Sequence, residues 1–319
     1  MLVTGGTGFL GRAIMQSLRD AGHDPRSLQR RPSADDTSAL SGDVRDEAAL
    51  TRALQGADAV IHAAGLAHVF RGVAQAPFAD VNERGTDVVA RAAVSSGVAH
   101  FVLISSVAVY GDGPGRTDED APCRPVGPYA VSKAAAEGRA IAALRGSPVR
   151  LTILRVATLY GEGDRGNVQR LLRAISRGRF VWIGRGTNRK TLVHVADAAR
   201  ACVLPLARRG DAVEVYNVAA PPVTMRAVVE GLARALGRAV PSWHLPPALA
   251  LALARAARPV MPAQGRALEQ AIVRWLSDDV YPAEKLSRRF DFEPRVALAE
   301  GLERQVAWWR RSARDGSGC

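Results

Sequence analysis

The feature that most constrains the fold lies at the start of the chain, where TGGTGFLG occupies residues 4–11. This stretch follows a short apolar run and leads directly into a helical pattern. Its three glycines allow a tight turn, close approach of the backbone to a pyrophosphate, and close packing of the helix. The start of that helix then faces phosphate. The spacing predicts a dinucleotide site, with a purely structural turn as the alternative, and we assign cofactor contacts to Gly5, Thr7, Gly8, Phe9 and Leu10.

Short apolar runs alternate with helical patterns over roughly the first half of the chain. The predicted strands are residues 1–4, 59–65, 100–106, 150–160 and 213–219. This alternation predicts an α/β fold with a doubly wound parallel sheet. After residue 219 proline and helical segments dominate, so we expect a smaller, mostly helical C-terminal lobe. We divide the chain into a dinucleotide-binding domain, residues 1–163 with the returning strand at 213–219, and a mainly substrate-binding lobe, residues 164–319.

The net charge of +12 raises the question of a nucleic-acid or membrane partner. The arginines are scattered, which argues against nucleic acid and in favour of an anionic small molecule. The most apolar stretch, PPALALALARAARPVM, is interrupted by Arg255 and Arg258 and is too short to span a bilayer. We therefore expect an interfacial or buried helix there, and neither nucleic acid nor membrane as a partner.

The 319 residues include only three cysteines, Cys123, Cys202 and Cys319, far apart and without a CxxC pair. This argues against a disulfide framework or a zinc site and favours a reducing cytoplasm. The six histidines form no HExxH pair, so we expect no metal.

The end of the predicted second strand bears on the choice of cofactor. An acidic residue there normally binds the adenosine ribose of NAD, whereas this chain has Gln29, Arg30 and Arg31. Two guanidinium groups suit a 2′-phosphate. The sequence therefore favours NADP, with NAD possible, and solvent-facing arginines are the alternative.

Two further strand ends complete the predicted cofactor site. GDVRD at residues 42–46 brackets an adenine, and the small residues of HAAG at 62–65 pass beneath the cofactor. The residues assigned to these contacts are Asp43, Val44, Ala63, Ala64 and Gly65.

A serine, a tyrosine and a lysine form the candidate catalytic set. Ser106 ends a predicted strand on the ligand edge, and Tyr129 and Lys133 stand four apart, on one face of a helix. A neighbouring ammonium stabilises a phenolate, so we expect Lys133 to lower the pKa of Tyr129 toward neutrality. An ordinary surface helix is the alternative, but the glycine turn upstream disfavours it.

These motifs together resemble the extended short-chain dehydrogenase/reductase superfamily, in its NAD-dependent epimerase/dehydratase branch. TGGTGFLG matches the family's cofactor turn, SSVAVYG its catalytic serine strand, and YAVSKAAAE its YxxSKxxxE helix. The resemblance implies a Rossmann-type sheet. It also implies that Asn82, in VNERGT, organises the active site and contributes to the cofactor site, and that Tyr110 selects Ser106 over Ser105.

The resemblance further implies a substrate site between residues 164 and 190. Asn167, Arg189 and Lys190 are similar in position to residues that hold the sugar and diphosphate in nucleotide-sugar enzymes. Lys190 stands where an arginine is usual, and Thr158 where many sugar epimerases have asparagine.

The leading hypothesis is an NAD(P)-dependent 4-ketoreductase or 4-epimerase acting on a nucleotide sugar, with net reduction favoured by the NADP preference. A reductase of an apolar ketone, such as a dihydroflavonol or 3β-hydroxysteroid, is the second hypothesis. A non-catalytic cofactor-sensing protein is the third. The resemblance also implies a homodimer formed through the helices around Tyr129.

Overall fold

The computed structural model describes residues 1–33, 36–67, 75–112, 115–208 and 210–314. Cys319 lies outside these ranges. The strands, in chain order, are β1 (Leu2–Thr4), β2 (Arg26–Gln29), β3 (Ala39–Ser41), β4 (Ala59–His62), β5 (His100–Ser106), β6 (Gly115–Arg116), β7 (Arg150–Val156), β8 (Thr158–Tyr160), β9 (Trp182–Ile183), β10 (Arg189–Lys190), β11 (Leu192–His194), β12 (Val213–Val218), β13 (Val223–Thr224), β14 (His244–Leu245) and β15 (Asp279–Val280).

The helices, in chain order, are α1 (Phe9–Asp20), α2 (Glu47–Leu54), α3 (Gln75–Phe78), α4 (Gly85–Ser95), α5 (Pro128–Leu144), α6 (Asn167–Ser176), α7 (Val195–Val203), α8 (Met225–Ala235), α9 (Pro247–Ala256), α10 (Pro262–Leu276), α11 (Glu284–Phe290) and α12 (Leu298–Arg314). A π-helical segment, Ala79–Arg84, joins α3 to α4, and 3-10 turns lie at Val107–Tyr110 and Leu204–Ala207.

Seven parallel strands form the central sheet, in the order β12-β7-β5-β4-β1-β2-β3. The central strands are mostly buried because helices cover both faces of the sheet. One face packs against α1 and α7, and the other against α2, α4 and α5. The order reverses at β1, which places the ligand crevice at the carboxyl ends of β1 and β4. The predicted Rossmann-type doubly wound fold is confirmed.

The sequence predicted one strand over residues 150–160, and the structure has two. The chain pairs with the central sheet until Val156, and the N–H of Ala157 still bonds to Val218 of β12. It then leaves that sheet, and Thr158 pairs with Leu192 of β11. A break after Val156 thus turns the chain from the cofactor edge toward the C-terminal lobe.

The C-terminal part of the chain builds a lobe of helices and short strands. A third hydrophobic core lies among α6, α8 and α12, and a four-stranded sheet runs in the order β13-β10-β15-β6. Side chains of α7 and α11, from beyond residue 163, pack instead into the core beneath the central sheet. The domain boundary remains a prediction. None of the described helices is long and apolar enough to cross a bilayer.

Candidate active site

The glycine turn between β1 and α1 leaves no room for side chains. Gly5 has φ +76°, and a Cβ on it would lie 2.6 Å from the backbone nitrogen of Ala64. A Cβ on Gly11 would lie 1.9 Å from the carbonyl oxygen of Gly5. Gly8 caps α1 without a side-chain hydrogen bond, so the first N–H groups of the helix remain available to a ligand. This close-packed turn, open at the helix end, fits the pyrophosphate of a dinucleotide.

The other predicted turn residues contribute mainly backbone. Thr7 is exposed, Phe9 is half-buried, and Leu10 is buried in the core beneath the sheet. The Thr7 carbonyl accepts a hydrogen bond of 2.8 Å from Arg12, which holds the turn against the helix. Phe9 also approaches Gly163, where a Cβ would lie 3.3 Å from its ring. The first and second parts of the chain therefore meet beside the turn.

At the end of β2 the two arginines are exposed and Gln29 is buried. Sequence reasoning missed a carboxylate there: Asp36 accepts a 2.8 Å hydrogen bond from the Gln29 side chain. Hydrogen bonds from Ser38 and Gln29 lower the pKa of Asp36, so it is ionised at neutral pH. The strand end thus carries two guanidinium groups and one negative charge. The acidic residues just downstream of Arg31 were the only available signal.

Asp43 and Val44 lie in the loop after β3. Arg45 donates two hydrogen bonds, of 2.8 and 2.9 Å, to the carboxylate of Asp43, and lowers its pKa to about 2. Arg45 also binds Asp80, which ties this loop to the π-helical segment. Val44 packs toward Gly85, where a Cβ would lie 3.0 Å from its methyl group.

A buried histidine links the strands beneath the predicted cofactor. The Nδ1 atom of His62 lies 2.6 Å from the Thr4 hydroxyl, and its Nε2 lies 2.9 Å from the Thr86 hydroxyl. Thr86 donates its own proton to the carbonyl of Asn82, so the arrangement needs Nε2 protonated and Nδ1 as acceptor. Burial lowers the pKa of His62 to about 3, which keeps the ring neutral. Ala63 and Ala64, the next residues, donate backbone N–H groups to Thr4.

Asn82 connects this region to the predicted catalytic helix. Its side chain accepts from the N–H of Leu66 at 2.7 Å and donates to the Leu66 carbonyl at 3.0 Å. It also donates to the Ser132 hydroxyl at 2.9 Å, and Ser132 donates to the carbonyl of Tyr129. Gly65 fits between Asn82 and Lys133, because a Cβ there would lie 3.0 Å from the Asn82 side-chain oxygen. Asn82 lies in the π-helical segment, a feature frequent at functional sites.

The structure brings Ser106, Tyr129 and Lys133 together at the carboxyl end of β5. The Ser106 hydroxyl lies near enough to the Tyr129 phenol to lower the pKa of that phenol. The Lys133 ammonium donates a 2.8 Å hydrogen bond to the carbonyl of Ile104 on the same strand. The alternative of a surface helix is therefore wrong for this face of α5, because Lys133 is only 8% exposed.

Without a bound ligand, Lys133 does not bring the pKa of the Tyr129 phenol down toward neutrality, as the sequence led us to expect. Burial raises the pKa of the Tyr129 phenol, and the nearby Ser106 hydroxyl offsets only part of that rise. Burial also lowers the pKa of Lys133 to about 8, against the opposing effect of Glu137. The physical reason is desolvation, which disfavours phenolate and ammonium alike. Lowering the phenol pKa therefore requires a further positive charge at the site.

A buried ion pair supports the catalytic helix from behind. Glu137 of α5 accepts a 2.5 Å hydrogen bond from Ser105 and hydrogen bonds of 3.1 and 2.8 Å from Arg155 of β7. Arg155 also lies over the ring of Tyr110, at 4.9 Å, and Tyr110 donates to Asn217 of β12. Helix α5 is thus locked to three neighbouring strands. Sequence reasoning noted Glu137 in its motif but not its partners, which lie on other elements.

Of the predicted substrate residues, Ser106 ends β5, and Asn167, Arg189 and Lys190 lie on α6 and β10. Asn167 is exposed at the first position of α6, and Arg189 is exposed on β10. Lys190 points its ammonium at the Arg274 carbonyl, at 2.6 Å, and at the Asp279 carboxylate, at 2.5 Å. A third acceptor, the Ser277 hydroxyl, lies 3.4 Å away, so protein groups use all three Lys190 protons.

A cavity of about 510 Å³ lies beside these residues in the C-terminal lobe. It is lined by Gly115, Thr187, Asn188, Leu276, Ser277 and Asp278. None of these lining residues belongs to β5 or α5, so the cavity is separate from the catalytic trio. Among the described residues, no group of three or more histidine, cysteine, aspartate or glutamate side chains is arranged to hold a metal ion.

Comparison with known proteins places these features in context. The family model described as "NAD dependent epimerase/dehydratase family" matches residues 1–219. The N-acetyl-alpha-D-glucosaminyl-diphospho-ditrans,octacis-undecaprenol 4-epimerase of Escherichia coli O157:H7 is 34% identical over 250 residues, which cover 77% of this chain and 75% of that protein. The UDP-glucose 4-epimerase of Vibrio cholerae is 30% identical over 77% of this chain and 78% of its own. The solved structure of MoeE5 with UDP-glucuronic acid and NAD is 30% identical, with a TM-score of 0.77, over 98% of this chain and 99% of its own.

Proposed function

The chain belongs to the NAD dependent epimerase/dehydratase family, and we propose that it moves a hydride to and from the 4-position of a sugar carried on a nucleoside diphosphate. The relatives support this proposal, because two are named as 4-epimerases and the MoeE5 structure contains UDP-glucuronic acid and NAD. Among the reactions considered above, these names favour 4-epimerisation, with 4-ketoreduction as the second candidate.

The chemistry would proceed through residues that the fold already gathers. A bound nicotinamide accepts or returns the hydride and, when oxidised, supplies a positive charge. Tyr129 takes the proton of the sugar hydroxyl as the C–H bond breaks, and returns it when the carbonyl is reduced. Ser106 binds the same sugar oxygen and, through its hydroxyl, stabilises the phenolate. Lys133 keeps positive charge on this face of α5.

The observation that carries the proposal is that Ser106 and Tyr129 meet at the carboxyl end of β5, where Lys133 of the same helix face bonds to the Ile104 carbonyl. General acid–base groups contribute roughly a hundredfold to ten-thousandfold in rate. We therefore expect Tyr129→Phe to lower kcat with UDP-glucose or UDP-N-acetylglucosamine by about that factor. Tyr216→Phe, which removes a phenol on β12, is the matched control. Equal turnover by wild type and Tyr129→Phe contradicts the assigned role.

Epimerisation and net reduction leave different products, which separates the two candidates. An epimerase interconverts the two 4-epimers without net consumption of reduced cofactor, whereas a 4-ketoreductase consumes one equivalent for each product formed. Measuring sugar epimers and reduced cofactor in the same reaction distinguishes them. Net oxidation of the cofactor in proportion to product would overturn the preference for epimerisation.

We further propose NADP as the preferred form of the cofactor. The exposed Arg30 and Arg31 at the end of β2 support it, since guanidinium groups pair with a 2′-phosphate. The Asp36 carboxylate near the end of β2 and the NAD bound in the MoeE5 structure favour NAD instead. We expect the double substitution Arg30→Gln and Arg31→Gln to raise the KM for NADP at least tenfold while that for NAD changes little. A parent enzyme that uses NAD better than NADP contradicts this proposal.

On the substrate side, we propose that Arg189, rather than Lys190, contacts the diphosphate. Arg189 is exposed beside the 510 Å³ cavity, whereas Lys190 has three acceptors of its own. Arg189→Met is expected to raise the KM for the nucleotide sugar without changing unfolding. Lys190→Met is expected to lower stability instead, and a purely kinetic effect of Lys190→Met would contradict this division. Asn167, exposed at the start of α6, is proposed to contact the sugar.

The assembly and location of the enzyme remain proposals as well. A homodimer through α4 and α5 is expected, and sedimentation of the purified protein tests it. Cys123 and Cys202 are unpaired in the described chain, which supports a reducing compartment such as the cytoplasm.

A further inference from the structure

Exposed apolar side chains are concentrated in one segment of the C-terminal lobe. In the described part of the chain, eight of the eleven exposed large hydrophobic residues lie between residues 240 and 273. They are Val240, Trp243, Leu249, Leu253, Val260, Met261, Leu268 and Val273. Single exposed hydrophobic residues need no explanation, but a cluster of this kind marks a binding surface. We call these eight residues the 240–273 surface.

The local fold explains why these residues are not buried. Helices α9 and α10 close over a core of only three buried hydrophobic residues, Ala250, Ala254 and Ile272. The larger side chains of α9 lie elsewhere: Leu249 and Leu253, four residues apart, share an outward face and are 48% and 56% exposed. Ala250 and Ala254 therefore face the protein while the larger Leu249 and Leu253 face solvent, the reverse of a helix that serves only the core.

Positive charge accompanies this apolar surface. Residues 240–273 contain three arginines (255, 258 and 266) and one acidic residue, Glu269, so the segment carries a net charge of +2. Arg255 and Arg258 both pair with Glu269, which neutralises only one of the two. Arg274 pairs with Asp112 on the neighbouring loop.

We propose that the 240–273 surface docks onto an anionic lipid bilayer, with α9 lying in the interface plane. An apolar helix face with arginines beside it is the pattern of interfacial helices, and tryptophan favours the interface, as the 78% exposed Trp243 would. A second copy of the chain is a poorer occupant, because a two-fold interface would set +2 against +2. The expectation of no membrane partner rested on the lack of a spanning segment, and a peripheral contact does not need one.

The docked face adjoins the substrate lobe through one helix. Helix α10 contributes Leu268 and Val273 to the 240–273 surface, and its last residue, Leu276, lines the 510 Å³ cavity. Membrane contact would thus place that cavity close to the lipid headgroups. This inference goes beyond the proposed function and does not depend on it.

Vesicle binding by the full chain tests the proposal without any assay of turnover. Co-sedimentation is measured with phosphatidylcholine vesicles, with and without phosphatidylglycerol. We expect binding to the anionic vesicles, weakened by salt, and a blue shift in tryptophan emission that is lost in Trp243→Phe. The double substitution Leu249→Gln and Leu253→Gln should reduce binding at least tenfold. Ala248→Gln, at an exposed position of α9 that is not three or four residues from either leucine, is the control.

Three outcomes would overturn the proposal. The first is that the parent protein fails to bind anionic vesicles. The second is that the leucine substitutions leave vesicle binding unchanged. The third is that vesicle binding is absent and the leucine substitutions convert a larger assembly into a smaller one, which would make the surface an interface between copies. Circular dichroism and urea unfolding of each variant confirm that the fold is retained.

Discussion

The buried pair of Glu137 and Arg155 allows a quantitative test of how the catalytic helix is held. Both side chains are nearly inaccessible, with 7% and 8% of their surface exposed. Glu137→Ala would leave Arg155 buried without its counter-ion and Ser105 without an acceptor. Breaking a buried pair by removing one partner destabilises a protein by about 3–5 kcal/mol. Because total stability is typically about 5–15 kcal/mol, this loss would be large.

The same reasoning predicts that removing both charges is less harmful than removing one. Apolar replacements of similar volume for a buried pair are often neutral or stabilising. Glu137→Leu combined with Arg155→Met should therefore lose only about 1–3 kcal/mol, from the stranded Ser105 hydroxyl. Adding Ser105→Ala should recover most of that loss.

Urea unfolding of the parent, Glu137→Ala, Glu137→Leu, Arg155→Met, the Leu/Met double variant and the triple variant provides the measurement. The result that refutes the reasoning is a double variant whose loss equals the sum of the two single losses, since independent sites add and coupled ones do not. A loss below about 1 kcal/mol in Glu137→Ala would equally contradict it.

Three further predictions follow from the site. Gly11→Ala, whose Cβ would lie 1.9 Å from a turn carbonyl, should abolish the thermal shift caused by the dinucleotide, while Gly138→Ala, which has open space in α5, should retain it; equal shifts would contradict the turn assignment. Burial lowers the pKa of His62 to about 3 and of His100 to about 4, below the unfolded value of about 6.5. The unfolded chain therefore binds more protons as pH falls, and the free energy of unfolding should decrease between pH 6.5 and about pH 4, by about 2 kcal/mol per histidine at about pH 5. Urea unfolding that is equally difficult at pH 7 and pH 5 would refute this effect. Asn82→Ala should lower kcat at least tenfold with little change in the KM for cofactor, because it loosens Leu66 and Ser132; stopped-flow turnover measures this, and a change in KM alone would contradict a positioning role.

The sequence predicted those parts of the fold that depend on local pattern. Short, mainly apolar runs located β1, β4, β5, β7 and β12, because strands covered on both faces are rich in apolar residues. The two-residue strands β10 and β15 carry no such pattern. They form because Lys190 finds Asp279, 89 positions away, and no local rule encodes that contact.

In the active site, too, features set by neighbouring residues in the sequence were predictable, and features set by distant residues were not. Helical spacing alone placed Tyr129 and Lys133 on one face, and strand position placed Ser106 beside them. The direction of the pKa shifts was not predictable, because burial by surrounding elements exceeds the effect of the neighbouring lysine. Asp36 was missed for a related reason: it reaches Gln29 through the fold of a loop.

The burial of Lys133 makes the catalytic centre unusually easy to observe. The chain has only three lysines, and burial lowers the pKa of Lys133 to about 8. Isotope labelling of lysine alone would therefore give a magnetic resonance spectrum with three side-chain signals. The Lys133 signal, assigned by its loss in Lys133→Met, would report in solution how each ligand alters the charge beside Tyr129.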